Sequence, residues 1–158
     1  FFFFFIFKQI YMNLSEHFTK AEFEHSNTAI LRSIPNVMDS GQTQKAIDLC
    51  VNVLEPLRTH LGKPIKLNCG YRSPLVNKAV GGAKMSQHIL GEAVDLDLHS
   101  RELFIWIRDN LDFDQIIFEG GTDENASWFH VSYRKGRNRK QALRMIKKGG
   151  KSVYIPFV

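Results

Sequence analysis

The sequence predicts an α+β fold in which helices pack on a small, largely antiparallel sheet. Three observations carry that prediction. Ala46, Leu49, Cys50, Val53 and Leu57 recur at helical spacing, the mark of an amphipathic helix. The stretch "EAVDLDL" (92–98) instead alternates, with Val94, Leu96 and Leu98 on one face of a strand and Ala93, Asp95 and Asp97 on the other. Along the chain the elements run α, α, β, then β, α, β, β, α, β, which lacks the regular alternation of a parallel α/β sheet.

Each element has its own local signal. "TKAE" (19–22) is a capping box that opens a short helix through Phe23. The amphipathic helix starts near Thr43 and stops near Gly62, and Pro56 within it predicts a kink, because proline lacks the N–H that the ladder needs. "PIKLNC" (64–69) reads as a short strand, and "SPLVNKAV" (73–80) as a short helix with Ser73 as cap and Pro74 at its first position. "SRELFIWIRDNL" (100–111) is a helix capped by Ser100. "FDQIIFE" and "WFHVSY" are two strands parted by the polar loop "GGTDENAS". The tail "NRKQALRMIKK" reads as a basic helix ended by Gly149 and Gly150, and "SVYIPF" as an edge strand.

At 158 residues, 44% hydrophobic and 23% charged, the chain fits one soluble domain and suggests neither disorder nor membrane residence. Residues 1–11, "FFFFFIFKQIY", are too short an apolar run for a complete signal peptide or a membrane span. They read as a remnant of a leader, or as sequence upstream of a start at Met12, which leaves residues 12–158 as a single domain. Cys50 and Cys69 form no CxxC pair and are expected as free thiols. No Asp or Glu follows Glu124, whereas Arg134 to Lys151 holds nine of the 21 Lys and Arg. Such a tail suits an anionic partner or, more plainly, a solvated face.

The acidic residues inside an apolar strand need an explanation, since charges are rarely buried unless paired or bound to a metal. His88 precedes that strand, Asp95 lies on it, and Gly91 between them allows the loop a tight approach. His130 sits mid-strand in "WFHVSY". If the two strands are neighbours, two imidazoles and a carboxylate face one point, the donor set of a catalytic zinc site with an open fourth position. Asp97 is a candidate to orient a ligand histidine, and His99 is a weaker alternative ligand. His17, His25 and His60 read as surface or capping residues, and Trp128 and Tyr133 as part core, part pocket wall.

The full string Ser86-x-His88-x-x-Gly91-x-Ala93-x-Asp95, with "GYRSPLVNKAVGG" upstream and "DQIIFE" and "WFHVSY" downstream, resembles the zinc D-Ala-D-Ala carboxypeptidase-like metallopeptidases. That group takes in D-alanyl-D-alanine dipeptidases and phage L-alanyl-D-glutamate endolysins, and shares its fold with the hedgehog signalling domain. The resemblance spans about Leu14 to the C-terminus. It implies one zinc ion held by His88, Asp95 and His130, and Arg72 facing the substrate carboxylate or the developing oxyanion. Ser86 either binds substrate or caps its loop, and Trp128 joins the substrate-binding wall. Many relatives carry an acid three residues before the last ligand, where this chain has Ser127. The hedgehog-type arrangement places a Glu at the end of the preceding strand, which implies Glu119 as the general base, with Glu124 and Asp123 as alternatives.

The implied activity is hydrolysis of a peptidoglycan stem-peptide bond, D-Ala-D-Ala or L-Ala-D-Glu, at the bacterial cell wall, by a wall enzyme or by a phage lysin reaching the wall from the cytoplasm. The basic tail would then hold the protein near anionic cell-wall polymers. A zinc-bearing binding module without turnover is the alternative, favoured by Ser127. A nucleic-acid-binding protein rests on the basic tail alone; no specific nucleic-acid partner and no membrane span are expected.

Overall fold

Thr19 opens the first helix as its sequence promises: its hydroxyl accepts from the Glu22 N–H, and the Glu22 carboxylate accepts from the Thr19 N–H. In the computed structural model, which describes residues 12–158, this helix, α1, spans Lys20–Glu24. The reading of residues 1–11 as a leader remnant lies outside the described residues. Helix α2, Asn27–Arg32, follows from an N-cap at Ser26 and stops at Ser33, whose φ of 51° turns the chain left-handed. The sequence reading did not assign it.

Helix α3, Ser40–Leu49, is capped by Asp39, three residues ahead of the expected start. Ala46, Leu49, Cys50, Val53 and Leu57 are all completely buried, so the helical spacing marks the core stripe. The irregularity expected at Pro56 takes the form of a π-helical turn over Cys50–Leu54, after which helix α4, Glu55–Leu61, begins with Pro56 in its first turn. The wider turn removes the clash between a proline ring and the carbonyl four residues back. Gly62, at φ 65°, ends α4.

Strand β1, Leu67–Cys69, leads to helix α5, Pro74–Ala79, capped by the Ser73 hydroxyl. A single 3-10 turn, Gln87–Leu90, carries His88 into strand β2, Ala93–Leu96, which is shorter than the alternating stretch of sequence. Helix α6, Arg101–Asn110, is capped by Ser100. Strands β3, Gln115–Glu119, and β4, Trp128–Ser132, fall where the sequence places them.

The tail departs from expectation. Gln141–Lys148 is a strand, β5, and Lys151–Pro156 is its partner β6; there is no basic helix. Gly149 and Gly150 end no helix but form the two-residue turn between the strands, with φ of 57° and 76°. Two consecutive positive φ values are what a tight hairpin needs, and glycine reaches them without steric cost. The edge strand expected at "SVYIPF" is β6.

Among the described residues, six strands run in the order β1-β2-β4-β3-β5-β6, every pair antiparallel except β3 with β5. One face is core: Val94, Leu96, Ile116, Phe118, Phe129 and Val131 are fully buried there with the helices. Phe104 of α6 sits at its centre, with ring centroids 5.5 Å from Phe118, 5.2 Å from Phe129 and 4.5 Å from Phe157. The other face carries the polar residues of the same strands. Among the described residues, no helix is long and apolar enough to cross a membrane.

Candidate active site

Strand register decides what that second face holds. Asp95 on β2 lies opposite His130 on β4, and Glu119 on β3 lies opposite Trp128, two residues before His130 on the same face. Cys69 on β1 lies opposite Asp95 from the other side. The structure thus brings His88, Asp95 and His130 together. The Asp95 Oδ1 atom is 3.3 Å from His88 Nε2 and 3.0 Å from His130 Nδ1, and the two imidazole centroids are 5.1 Å apart.

The loop bearing His88 is held from several directions. The Ser86 hydroxyl accepts from the His88 N–H at 3.3 Å, so Ser86 caps the turn. The His88 carbonyl accepts from the Arg72 N–H at 3.2 Å, and the Ile89 carbonyl from Gln42 Nε2 at 3.1 Å. Gly91 closes the turn at φ 73°, where a Cβ would stand 2.5 Å from the Gln42 carbonyl oxygen. Both the conformation and the space exclude a side chain. Gly91→Ala is therefore expected to destabilise the fold by about 2 kcal/mol or more and to weaken metal binding, read by denaturant unfolding and a zinc titration.

Behind the loop lies an ionic network. Gln87 Nε2 donates to Asp114 Oδ2 at 2.9 Å, Arg139 grips both oxygens of the same fully buried carboxylate, and Glu92 takes Lys45 at 2.9 Å and Arg134 at 3.0 Å. Burial works to raise the Asp114 pKa, but the Arg139 and Gln87 hydrogen bonds outweigh it and hold the group below its ordinary value. Arg144 pairs with Asp123 at 2.6 Å. Three of the tail's basic residues therefore have acidic partners, so it is not one uniformly free basic face.

Protonation follows from the contacts. A carbonyl only accepts, and the Gly70 carbonyl sits 2.7 Å from His88 Nδ1, so that nitrogen carries a proton and Nε2 is the atom that faces Asp95. Burial lowers the His88 pKa, with the Asp95 carboxylate beside it working the other way. Burial alone would raise the Asp95 pKa, but His88 and His130 beside it pull the group well below the usual carboxylate range. Glu119 is shifted the other way: burial raises its pKa, with His130 offsetting only part of the effect.

The remaining candidates fall around this centre. Arg72 reaches Asp95 Oδ2 with NH2 at 3.9 Å, while its buried Nε finds no hydrogen-bond partner among the described residues. Trp128 is half-buried beside the site. Asp97 pairs with Lys66 at 3.1 Å and His99 at 3.2 Å, which engages both away from the His88–Asp95–His130 centre. Asp123 is taken by Arg144, and Glu124 lies exposed in the same loop. His17 pairs with Glu55, and His60 stacks on Trp106.

Sequence reading missed Cys69. Its Sγ lies 3.9 Å from His88 Nδ1, and Cys69, His88 and Asp95 form a second possible donor set. Burial, with Asp95 adding to it, pushes the thiol up to about 11, so it stays protonated at neutral pH. It also lies on the Nδ1 side of His88, the nitrogen already committed to Gly70. No local motif marks Cys69; its place is set by the long-range pairing of β1 with β2.

The family model for Peptidase M15 matches residues 16–132, the span from α1 to the end of β4 that contains the whole of this centre. The chain belongs to the Peptidase M15 family. A search of curated proteins finds no match. The M15 assignment makes the chain a member of a zinc-dependent peptidase family with a peptide substrate. Two imidazoles whose nitrogens lie 3.3 Å and 3.0 Å from one carboxylate oxygen are donors chemically suited to that cation. Strands β5 and β6 lie beyond the matched residues.

Proposed function

We propose that this M15 peptidase hydrolyses a stem-peptide bond of peptidoglycan, D-Ala-D-Ala or L-Ala-D-Glu, with His88, Asp95 and His130 as ligands of one zinc ion and Glu119 as general base. What carries the reading is the convergence of His88 Nε2 and His130 Nδ1 on Asp95 Oδ1 on a sheet face shared with a buried glutamate of raised pKa. Zinc, when bound, supplies a Lewis acid that polarises the scissile carbonyl and makes water acidic enough to ionise near neutral pH.

The chain's own residues do the rest. Glu119 accepts the proton of the attacking water and passes it to the leaving amine; a pKa raised by burial suits both transfers. Arg72 offers a permanently charged donor whose buried Nε has no partner among the described residues, a group fitted to the substrate's carboxylate or to the oxyanion that forms on the scissile oxygen. Trp128, across from Glu119, walls the substrate cleft. Ser86 supports the centre by capping the His88 turn. The exposed lysines and arginines of the tail would keep the enzyme near anionic wall polymers.

The test is a digest of purified peptidoglycan by the zinc-loaded chain, with and without chelator, its products identified by mass. Free D-Ala assigns a carboxypeptidase; new L-Ala and D-Glu ends assign an endopeptidase. A zinc-loaded chain that binds the wall yet releases nothing would replace this reading with a binding module, which the serine at position 127 favours.

A further inference from the structure

The site's sheet does not stop at Glu119. Strand β5 pairs with β3 so that Met145 lies opposite Glu119, and β6 pairs with β5 so that Tyr154 lies opposite Met145 and Ser152 opposite Lys147. Because side chains alternate, Met145, Lys147, Ser152 and Tyr154 share the face that carries Asp95, His130 and Glu119. Met145 is buried and seated over the Gly120 turn, where a Cβ on Gly120 would lie 3.7 Å from its Cε. Lys147 continues past the end of β3 and is exposed, and Tyr154 keeps 52% of its surface open.

These residues are electrically part of the same centre. Burial, then Glu119 and Asp95, raise the Tyr154 pKa, and Lys147 is among the charges acting on Glu119. Lys147 Nζ donates to the Ser152 hydroxyl at 2.8 Å, a neutral partner, and forms no direct ion pair among the described residues. The hairpin brings no acid of its own, since none follows Glu124, and Arg144 on its other face takes Asp123. An ammonium and two hydroxyls therefore stand in a row beside the general base, and a carboxylate has acceptor positions for all three.

We propose that the β5–β6 hairpin, outside the residues matched to the family, is the outer wall of the substrate cleft, and that Lys147, with Ser152 and Tyr154, selects peptides by pairing with a substrate carboxylate. This deepens the peptidase reading and rests on it. The test compares two forms of one stem pentapeptide, with its carboxylates free and fully amidated. Kinetics are measured on the zinc-loaded wild type, Lys147→Gln and Tyr154→Ala.

Lys147→Gln is expected to raise KM on the free-carboxylate peptide about fivefold, the scale of an exposed ion pair, and to cut the preference over the amidated peptide by the same factor. Tyr154→Ala should raise KM more on the free-carboxylate peptide than on the amidated one, and an equal rise on both would remove Tyr154 from the carboxylate's partners. A preference that Lys147→Gln leaves intact overturns the proposal. If both peptides bind but neither is cleaved, the peptidase reading fails by itself, and the same preference is then read from calorimetric Kd values, where its persistence in Lys147→Gln again overturns the hairpin's role. If neither peptide binds, both readings fall.

Discussion

Glu119→Gln is expected to lower kcat on a cleaved stem peptide by about 10²–10⁴-fold while the chain still takes up one zinc ion, because the substitution keeps the shape of the side chain and removes its basicity. Glu119 is buried at the end of β3, and burial raises its pKa above the ordinary 4.5. A general base works deprotonated, so the wild-type rate should fall as the pH drops through that raised value, placing the acid limb of kcat above the ordinary glutamate value. The residual rate of Glu119→Gln should lack that limb. A limb that persists in the variant would move the base elsewhere, with Asp123 and Glu124 the next candidates. Asp123 is handicapped by its pairing with Arg144 at 2.6 Å.

The order of these residues was largely legible in the sequence, because the signals that place them are local. The Ser86 cap, the Gly91 turn and the alternation at Ala93 and Asp95 lie within ten residues of one another and need no tertiary information. The neighbouring of Asp95 and His130 could only be stated as a condition, since strand pairing across 35 positions is decided by the fold. Cys69 was out of reach for the same reason: it approaches His88 only once β1 pairs with β2.

The tail misled for a different reason. Ala142, Leu143, Met145 and Ile146 are spaced as on one side of a helix, and Ala, Leu, Met, Arg, Lys and Gln are all good helix formers. In the strand that forms, Leu143 and Met145 face the site side while Ala142 and Ile146 face the other. A two-sided strand shows no clean alternation. Pairing on both edges, with β3 and β6, overrides the propensity. The cue that favoured the hairpin was the Gly149–Gly150 pair, which ends a helix or turns a hairpin equally well by composition.

His130→Gln and Cys69→Ala together separate the two donor sets, which share His88 and Asp95. Under the proposed ligand assignment, His130→Gln should weaken zinc binding by at least about a hundredfold and abolish turnover, whereas Asp95→Asn should weaken it under either set, since both use that carboxylate. Cys69→Ala should bind zinc nearly as wild type, because the thiol, pushed up to about 11, would have to lose its proton and reach past a His88 nitrogen already committed to Gly70. Cobalt(II) in place of zinc gives an independent reading, as a thiolate ligand would add a charge-transfer band that the proposed His–Asp–His set lacks. The metal-free proteins carry the second half of the test. Asp95 has a folded-state pKa well below its ordinary 3.8, so its pairing with His88 and His130 stabilises the fold at pH values above that and is lost as the pH falls through the depressed value. Denaturant unfolding of the metal-free wild type should therefore lose about 1–3 kcal/mol below pH about 4 that Asp95→Asn does not lose, the scale of hydrogen bonds to a charged group. Zinc uptake by His130→Gln at wild-type affinity, with Cys69→Ala now deficient, would transfer the metal to the cysteine side of His88.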